Sequence, residues 1–136
     1  MIKESPMRSR DKALQSLYEI EIKNENAYLQ IGPRDQRGIF CERLIRGVID
    51  NMDAIDKILV SYIDRSISSL DIIEKNILRI GLYETLFVKE VDIPIIINEA
   101  VRLSKKYGAT EGFKYVNAIL DKIVKAEGLK IHNSQK

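Results

Sequence analysis

The chain has 136 residues, of which 45% are hydrophobic and 31% are charged, a composition typical of a single soluble globular domain. The net charge of +2 is too small to indicate a nucleic-acid-binding protein, so any basic surface must come from local clusters. A single cysteine excludes an internal disulfide, and no apolar run approaches the ~20 residues of a membrane span. The N-terminus does not resemble a secretion signal either, so we expect one cytoplasmic domain over residues 1–136, with a polar tail from about residue 128.

The apolar residues recur at helical spacing along the whole chain, and no segment shows the alternation typical of a strand. Ser5-Pro6 predicts the start of a first helix that ends near Lys23. After a polar break, a second helix is expected from about residue 36 to Asp50, and Asn51 is a candidate N-cap for a third. The spacing predicts six or seven helices in all.

The stretch from Leu70 to Val88 is apolar around nearly its whole circumference, which predicts a central helix surrounded by protein. Asp71 and Glu74 stand where a capping box requires them. Gly81 lies in the middle of this helix, at a cost of about 1 kcal/mol relative to alanine. We interpret Gly81 as a point of close approach by a neighbouring helix.

Two further helices complete the predicted fold. Pro94 opens the first of them, and Gly108 ends it. The last helix is expected from about Glu111 to Ala126, and Gly128 closes it.

The sequence contains no constellation that indicates catalysis. The single histidine, His132, lies in the tail, and there is no HExxH motif, thiol pair, glycine-rich phosphate loop or nucleophile elbow. Glu84 falls on a buried side of the central helix, where hydrogen bonding to a neighbouring helix is favoured over a carboxyl group with a raised pKa. Cys41 shares an apolar stripe and is interpreted as a core residue. We predict that the protein is not an enzyme and binds neither a cofactor nor a metal.

The outer face of the last helix carries an aromatic residue among lysines. The residues that fall together opposite its apolar stripe are Glu111, Lys114, Tyr115, Ala118, Lys122 and Lys125. An aromatic ring among cations is the pattern with which proteins stack and neutralise single-stranded nucleic acid. Helical spacing alone leaves a second interpretation open, in which Tyr115 lies along the surface or fills a gap between helices.

The first helix begins with a second cluster of cations, which is most often a solvated helix start. Its members are Lys3, Arg8, Arg10 and Lys12. Arg10 lines up with Leu14 and Leu17, so we expect it to lean over the rim of the core. A third basic group, Arg102 with Lys105 and Lys106, is interpreted as ordinary solvation.

Four motifs in these regions resemble those of the NusB family of bacterial transcription antitermination factors. They are RSRDKALQSLY at 8–18, EKNILRIGLYE at 74–84, IP, INEAV and KYG between 93 and 108, and KYVNAILDK at 114–122. The motifs occur in the order and spacing of the family and cover nearly the whole chain.

The resemblance implies an all-α fold of two small helical bundles packed across one another, and a binding activity instead of catalysis. It implies that the chain pairs with NusE, a small-subunit ribosomal protein, and that the pair holds boxA RNA of nascent, chiefly ribosomal, transcripts. RNA polymerase is then reached indirectly, as part of its elongation complex. The predicted RNA-binding residues are Lys3, Arg8, Arg10, Tyr107, Glu111, Lys114 and Tyr115. Tyr18 and Glu74 are predicted to bind a partner or to lie close to the RNA.

Two alternatives from other functional classes remain open. NusB-like domains also occur at the N-terminus of RNA cytosine methyltransferases, although no cofactor-binding βαβ pattern follows here. The chain could instead be a helical adaptor that binds only protein, including a second copy of itself in a homodimer.

Overall fold

The structure, a computed structural model, describes residues 5–23 and 38–128, and within them it contains six α-helices and no strand. The helices are α1 (Pro6–Lys23), α2 (Ile39–Asp50), α3 (Met52–Val60), α4 (Ile72–Tyr83), α5 (Ile93–Tyr107) and α6 (Gly112–Ala126). A short 3₁₀ turn, Ile67–Ser69, precedes α4, and a π-helical turn, Glu84–Val88, follows it. The predicted all-α fold is confirmed.

The predicted central helix is α4, and it packs against each of the other five helices. The helices α1 to α3 contact one another in succession, α5 and α6 pack as a pair, and α4 joins the two groups. The side chains of Ile77, Leu78, Ile80 and Leu82 are all buried. Each such side chain contributes about 1.5–3 kcal/mol when removed from water, so the burial of α4 between the two groups of helices stabilises the fold.

Only half of the predicted capping box forms at the start of α4. The carboxylate of Asp71 accepts a hydrogen bond from the backbone N–H of Glu74 at 3.1 Å, as expected. The carboxyl group of Glu74 does not reach back to its own helix. It lies against Gly112 at the start of α6, where an added Cβ would overlap with its Oε2 atom. Glycine at position 112 therefore allows α4 and α6 to meet.

The prediction that Asn51 caps α3 with its side chain is wrong. Its Nδ2 group donates a hydrogen bond to the carbonyl oxygen of Gly47 at 2.8 Å, so the side chain binds the C-terminal end of α2 instead. Its backbone angles, φ −113° and ψ 18°, also differ from the extended conformation typical of an N-cap residue.

The close approach expected at Gly81 occurs at a different glycine. An added Cβ at Gly81 would lie 3.4 Å from Leu120 Cδ1, which is ordinary van der Waals contact. A Cβ at Gly47 would instead overlap with the ring of Tyr83. The glycine that the packing of α2 against α4 requires is therefore Gly47, which the sequence analysis did not single out.

The remaining predicted boundaries agree with the structure where it describes the chain. Pro94 lies in the first turn of α5, Gly108 follows its last residue, and Gly128 has a positive φ of 67° after α6. Cys41 is buried, as predicted. The start of α2 near residue 36, the polar break before it, Lys3, His132 and the tail from residue 129 lie outside the described residues. Among the helices of the described part, none combines the length and apolarity needed to cross a membrane.

Candidate nucleic-acid interface

The guanidinium of Arg10 is buried, so the expectation that it leans over the rim of the core is wrong. Arg10 is 4% exposed, and it donates to both carboxylate oxygens of Glu84, from Nε at 2.6 Å and from Nη2 at 2.8 Å. Its Nη1 donates to Glu99 at 3.3 Å, and the group lies over the ring of Phe40. Burial and carboxylate pairing leave Arg10 no exposed donor for a phosphate. The interpretation of Glu84 as a hydrogen-bond acceptor is confirmed.

The sequence did carry a signal for this ion pair. Arg10 lies on the apolar stripe of α1, and Glu84 lies on an apolar side of α4's extension. Two opposite charges that both face a predicted core must find a partner, because a buried unpaired charge is strongly unfavourable. Matching them would have identified the pair.

Asp11 forms a second cluster between α1 and the end of α5. Its carboxylate accepts hydrogen bonds from Arg102 Nη2 at 2.7 Å, from Lys106 Nζ at 2.7 Å and from the Tyr107 hydroxyl at 3.0 Å. Burial alone would raise the pKa of Asp11, but these hydrogen bonds outweigh it and hold the pKa below its usual value. The interpretation of Arg102 and Lys106 as ordinarily solvated cations is wrong, because both are paired with Asp11.

Arg8 presents an exposed cation at the start of α1. Its backbone N–H donates to Ser5 Oγ at 3.3 Å, which confirms Ser5 as the cap of this helix. Lys12, one turn further on, is also exposed. The outward part of the predicted basic cluster is therefore smaller than the sequence suggested.

Tyr115 is half-buried, so the expectation that it lies on a wet face of α6 is wrong. Its ring packs against the core, and its buried hydroxyl group has no hydrogen-bond partner in the structure. The guanidinium of Arg65 lies over the ring, 4.9 Å from its centroid. Arg65 belongs to the connection between α3 and α4, which crosses this side of α6. Helical spacing within α6 could not predict that a residue from another segment packs over Tyr115.

The other predicted residues of α6 lie at the surface. Lys114 Nζ and Glu111 Oε1 form an exposed ion pair at 2.7 Å. Glu74, beside Gly112, has a raised pKa because of burial and then because of the nearby Asp71 carboxylate. The structure therefore places Glu74 next to the start of α6.

Side-chain contacts connect the start of α1 to the end of α5. Tyr107 is held by Asp11 and also accepts a hydrogen bond from Gln15 Nε2 at 3.1 Å, so it lies against α1. The start of α6 follows directly after α5, and Lys105 of α5 lies 4.7 Å from the ring centroid of Phe113 in α6. Tyr18 is exposed on α1, about two turns beyond Asp11.

Arg65, which lies between α3 and α4, is not among the residues predicted from the sequence to form the site. Its exposed guanidinium also pairs with the Asp64 carboxylate at 3.1 Å. The sequence shows a cation in a short segment before the central helix. It does not show which helix that cation packs against.

Among the described residues, no three metal-ligating side chains lie together as a metal site would require. Two surface cavities are present in this part of the chain, and neither is lined by a predicted RNA-binding residue. The larger cavity, about 570 Å³, is a groove between the start of α5 and the end of α6.

Comparison with known proteins agrees with this architecture. The NusB family matches residues 7–125. The transcription antitermination protein NusB of Pasteurella multocida is 40% identical over 123 residues, which is 85% of each chain. NusB of Mannheimia succiniciproducens is 36% identical over 88% of each chain. Because these relatives match over most of their length, they do not carry the catalytic domain of a methyltransferase.

Solved structures show the same fold. NusB of T. maritima superposes with a TM-score of 0.81 and 30% identity, over 91% of this chain and 93% of the other. The NusB chain in a crystal structure of antitermination factors NusB and NusE in complex with double-stranded RNA gives a TM-score of 0.75 at 28% identity, over 88% of this chain and 96% of the other. By sequence and by fold, the chain belongs to the NusB family of transcription antitermination proteins.

Proposed function

We propose that this chain is a cytoplasmic transcription antitermination factor that binds boxA RNA of nascent ribosomal transcripts together with NusE. Through this assembly it supports processive elongation by RNA polymerase, without catalysis and without a cofactor. The observation that carries the proposal is the fold that the chain shares with NusB in a complex with NusE and double-stranded RNA.

The proposed RNA surface joins the start of α1, the end of α5 and the start of α6. Its members are Arg8, Tyr107, Glu111, Lys114 and Tyr115. Lys3 is also predicted to bind RNA, but it lies outside the described residues. Tyr18 and Glu74 are proposed to lie at the edge of this surface or against a partner. Arg10 is removed from the proposed RNA contacts, because its guanidinium is buried against Glu84.

The charges of this surface support weak RNA binding by the chain alone. Lys114 is paired with Glu111, and Lys106 is paired with Asp11, so neither cation is fully available to a phosphate. Counterion release from phosphates supplies most of the affinity of sequence-independent binding. With few unpaired cations and a net charge of +2, the chain needs NusE to complete the RNA-binding surface.

The test is a titration of labelled boxA RNA with the protein alone, with NusE alone and with both. We expect weak binding to the protein alone and much tighter binding to the pair. An RNA of the same length and composition in permuted order serves as the control and should bind the pair less tightly. Equal affinity for boxA with and without NusE would contradict a shared surface.

The pairing of surface cations also favours a second candidate, an adaptor that binds only protein. That function predicts NusE binding without any RNA signal from the pair beyond that of NusE alone. If the partner is instead a second copy of the chain, light scattering during size-exclusion chromatography should show a dimer. RNA binding that requires both proteins would exclude the adaptor.

A further inference from the structure

We propose that Asp11 limits RNA binding by this chain: it withholds Lys106 from phosphate and positions Tyr107, without touching RNA itself. The inference rests on the proposed function, because it concerns the RNA surface. It assigns a role in RNA binding to an acidic side chain that lies among the cations and aromatic residues of that surface.

The carboxylate of Asp11 is fully used by neighbouring donors. One oxygen accepts from Arg102 at 2.7 Å, and the other accepts from Lys106 at 2.7 Å and from the Tyr107 hydroxyl at 3.0 Å. Asp11 is 8% exposed, whereas the side chain of Lys106 is 56% exposed. A buried acid therefore holds an exposed cation.

Of the two cations, Lys106 is the one that loss of the Asp11 charge would release. Arg102 also donates to both oxygens of Glu99, at 2.9 Å and 3.0 Å, so it keeps a carboxylate partner. Among the described residues, the one acidic partner of Lys106 is Asp11. This pairing raises the pKa of Lys106, in agreement with a cation engaged by a carboxylate.

Tyr107 is fixed by the same carboxylate and by Gln15, which donates to its hydroxyl at 3.1 Å. An asparagine at position 11 would still offer an amide oxygen to the tyrosine hydroxyl. Replacing Asp11 by asparagine therefore removes the charge that holds Lys106 while retaining an acceptor for Tyr107. The substitution separates the electrostatic effect from the positioning effect.

A cation that is already paired with a carboxylate adds little when RNA binds, because it neutralises a phosphate and releases a counterion from the RNA only after the pair breaks. Each new phosphate contact with a single strand steepens the dependence of log K on log salt by about 0.7. We therefore expect Asp11→Asn to steepen this slope by about 0.7 for any single-stranded RNA. Between 50 and 200 mM salt, that corresponds to a change in affinity about threefold larger than in the wild type.

The experiment measures the binding of a permuted single-stranded RNA by four proteins across this salt range, each with NusE present. They are the wild type, Asp11→Asn, Lys106→Gln and the double variant. Lys106→Gln alone should leave the slope nearly unchanged, because Lys106 is already neutralised. In the double variant the slope should return to that of the wild type.

A matched control is Asp121→Asn, which breaks the exposed pair of Asp121 with Lys125 (3.0 Å) near the other end of α6. It should leave the slope unchanged, because Lys125 lies ten residues, about 15 Å, along α6 from Tyr115 and is not part of the proposed RNA surface. If Asp121→Asn steepens the slope as much as Asp11→Asn, the effect is a general consequence of net charge and the inference is wrong.

Two further outcomes would overturn the inference. A folded Asp11→Asn protein with the wild-type slope would show that Lys106 is not withheld. A slope reduced by about 0.7 in Lys106→Gln would show that Lys106 already contacts phosphate, and this result holds even if Asp11→Asn does not fold. If the wild type with NusE binds no RNA at all, the proposed function fails as well, which distinguishes the two failures.

Discussion

The ion pairs at the start of α1 and at the start of α6 lie in opposite surroundings. Arg10 and Glu84 are 74 residues apart in the chain, and both side chains are at least 95% buried. Lys114 and Glu111 are one helical turn apart, and both side chains are about two-thirds exposed. The first pair ties α1 to the end of the central helix, whereas the second ties no two elements together.

This difference distinguishes charged side chains that stabilise the fold from cations that can contact RNA phosphates. Breaking the buried pair leaves an uncompensated charge in the interior. In an exposed pair, water or a phosphate can replace the carboxylate beside the cation at little cost in free energy. A cation near a helix start is thus available to RNA only when the rest of the fold does not supply a buried carboxylate for it.

The largest effect is expected from Arg10→Ala, which leaves Glu84 buried and unpaired. We expect the free energy of unfolding in urea to fall by about 3–5 kcal/mol. The matched variant Lys114→Ala breaks an exposed pair and should cost less than about 1 kcal/mol. Similar losses in the two variants would contradict the distinction between the two regions.

Tyr115 tests whether the start of α6 also contributes to the core. Tyr115→Ala should lower the free energy of unfolding by about 2 kcal/mol, roughly half the cost of a fully buried aromatic residue. It should also weaken RNA binding by about 1–3 kcal/mol if a base stacks on the ring. A melting temperature equal to that of the wild type would show that the ring does not pack against the core.

The phenylalanine variant separates the ring of Tyr115 from its hydroxyl group. Since the buried hydroxyl has no partner, Tyr115→Phe should raise the free energy of unfolding by about 1 kcal/mol. The same variant should keep its affinity for RNA. A loss of stability in Tyr115→Phe would reveal a hydrogen bond at this hydroxyl.

The pH dependence of stability should have opposite signs for Asp11, near the start of α1, and Glu74, which lies beside the start of α6. The folded pKa of Asp11 lies below its ordinary 3.8, so its stabilising effect is present above pH 3.8 and is lost as the pH falls further. The folded pKa of Glu74 lies above its ordinary 4.5, because burial and then Asp71 disfavour the charged form. Its protonation therefore stabilises the fold below pH 4.5, and this effect is lost as the pH rises through the folded pKa.

Urea unfolding at a series of pH values checks both signs. Asp11→Asn should be less stable than the wild type at neutral pH, and the difference should shrink below pH 3.8. Glu74→Gln should be at least as stable as the wild type at neutral pH, and this advantage should disappear below pH 4.5. A reversed sign at either residue would contradict its described surroundings.

The smallest effect on stability is expected from Arg8→Ala. Because Arg8 is exposed, the free energy of unfolding should change by less than about 0.5 kcal/mol. The salt slope of RNA binding should become shallower by about 0.7 if Arg8 contacts one phosphate. Lys57→Ala, at an exposed site on α3, is the control and should leave the slope unchanged; an equal reduction would assign the effect to net charge.

The sequence by itself determined the helices and most of their ends. The cap at Asp71, the first-turn position of Pro94 and the start at Ser5-Pro6 depend on residues within one turn of each other. The apolar circumference of α4 likewise predicted its central place, because a helix without a polar face must be surrounded. Such features are local, so the order of residues is sufficient to predict them.

Only the tertiary structure decided which charges face inward and what covers each face. Arg10 meets Glu84, Tyr115 lies beneath Arg65, and Gly47 makes room for Tyr83. Each of these contacts joins residues on different elements, and helical spacing within one element carries no information about the element packed against it. The availability of each cation to RNA is therefore a property of the assembled helices, because the buried carboxylates that compete for it come from elsewhere in the chain.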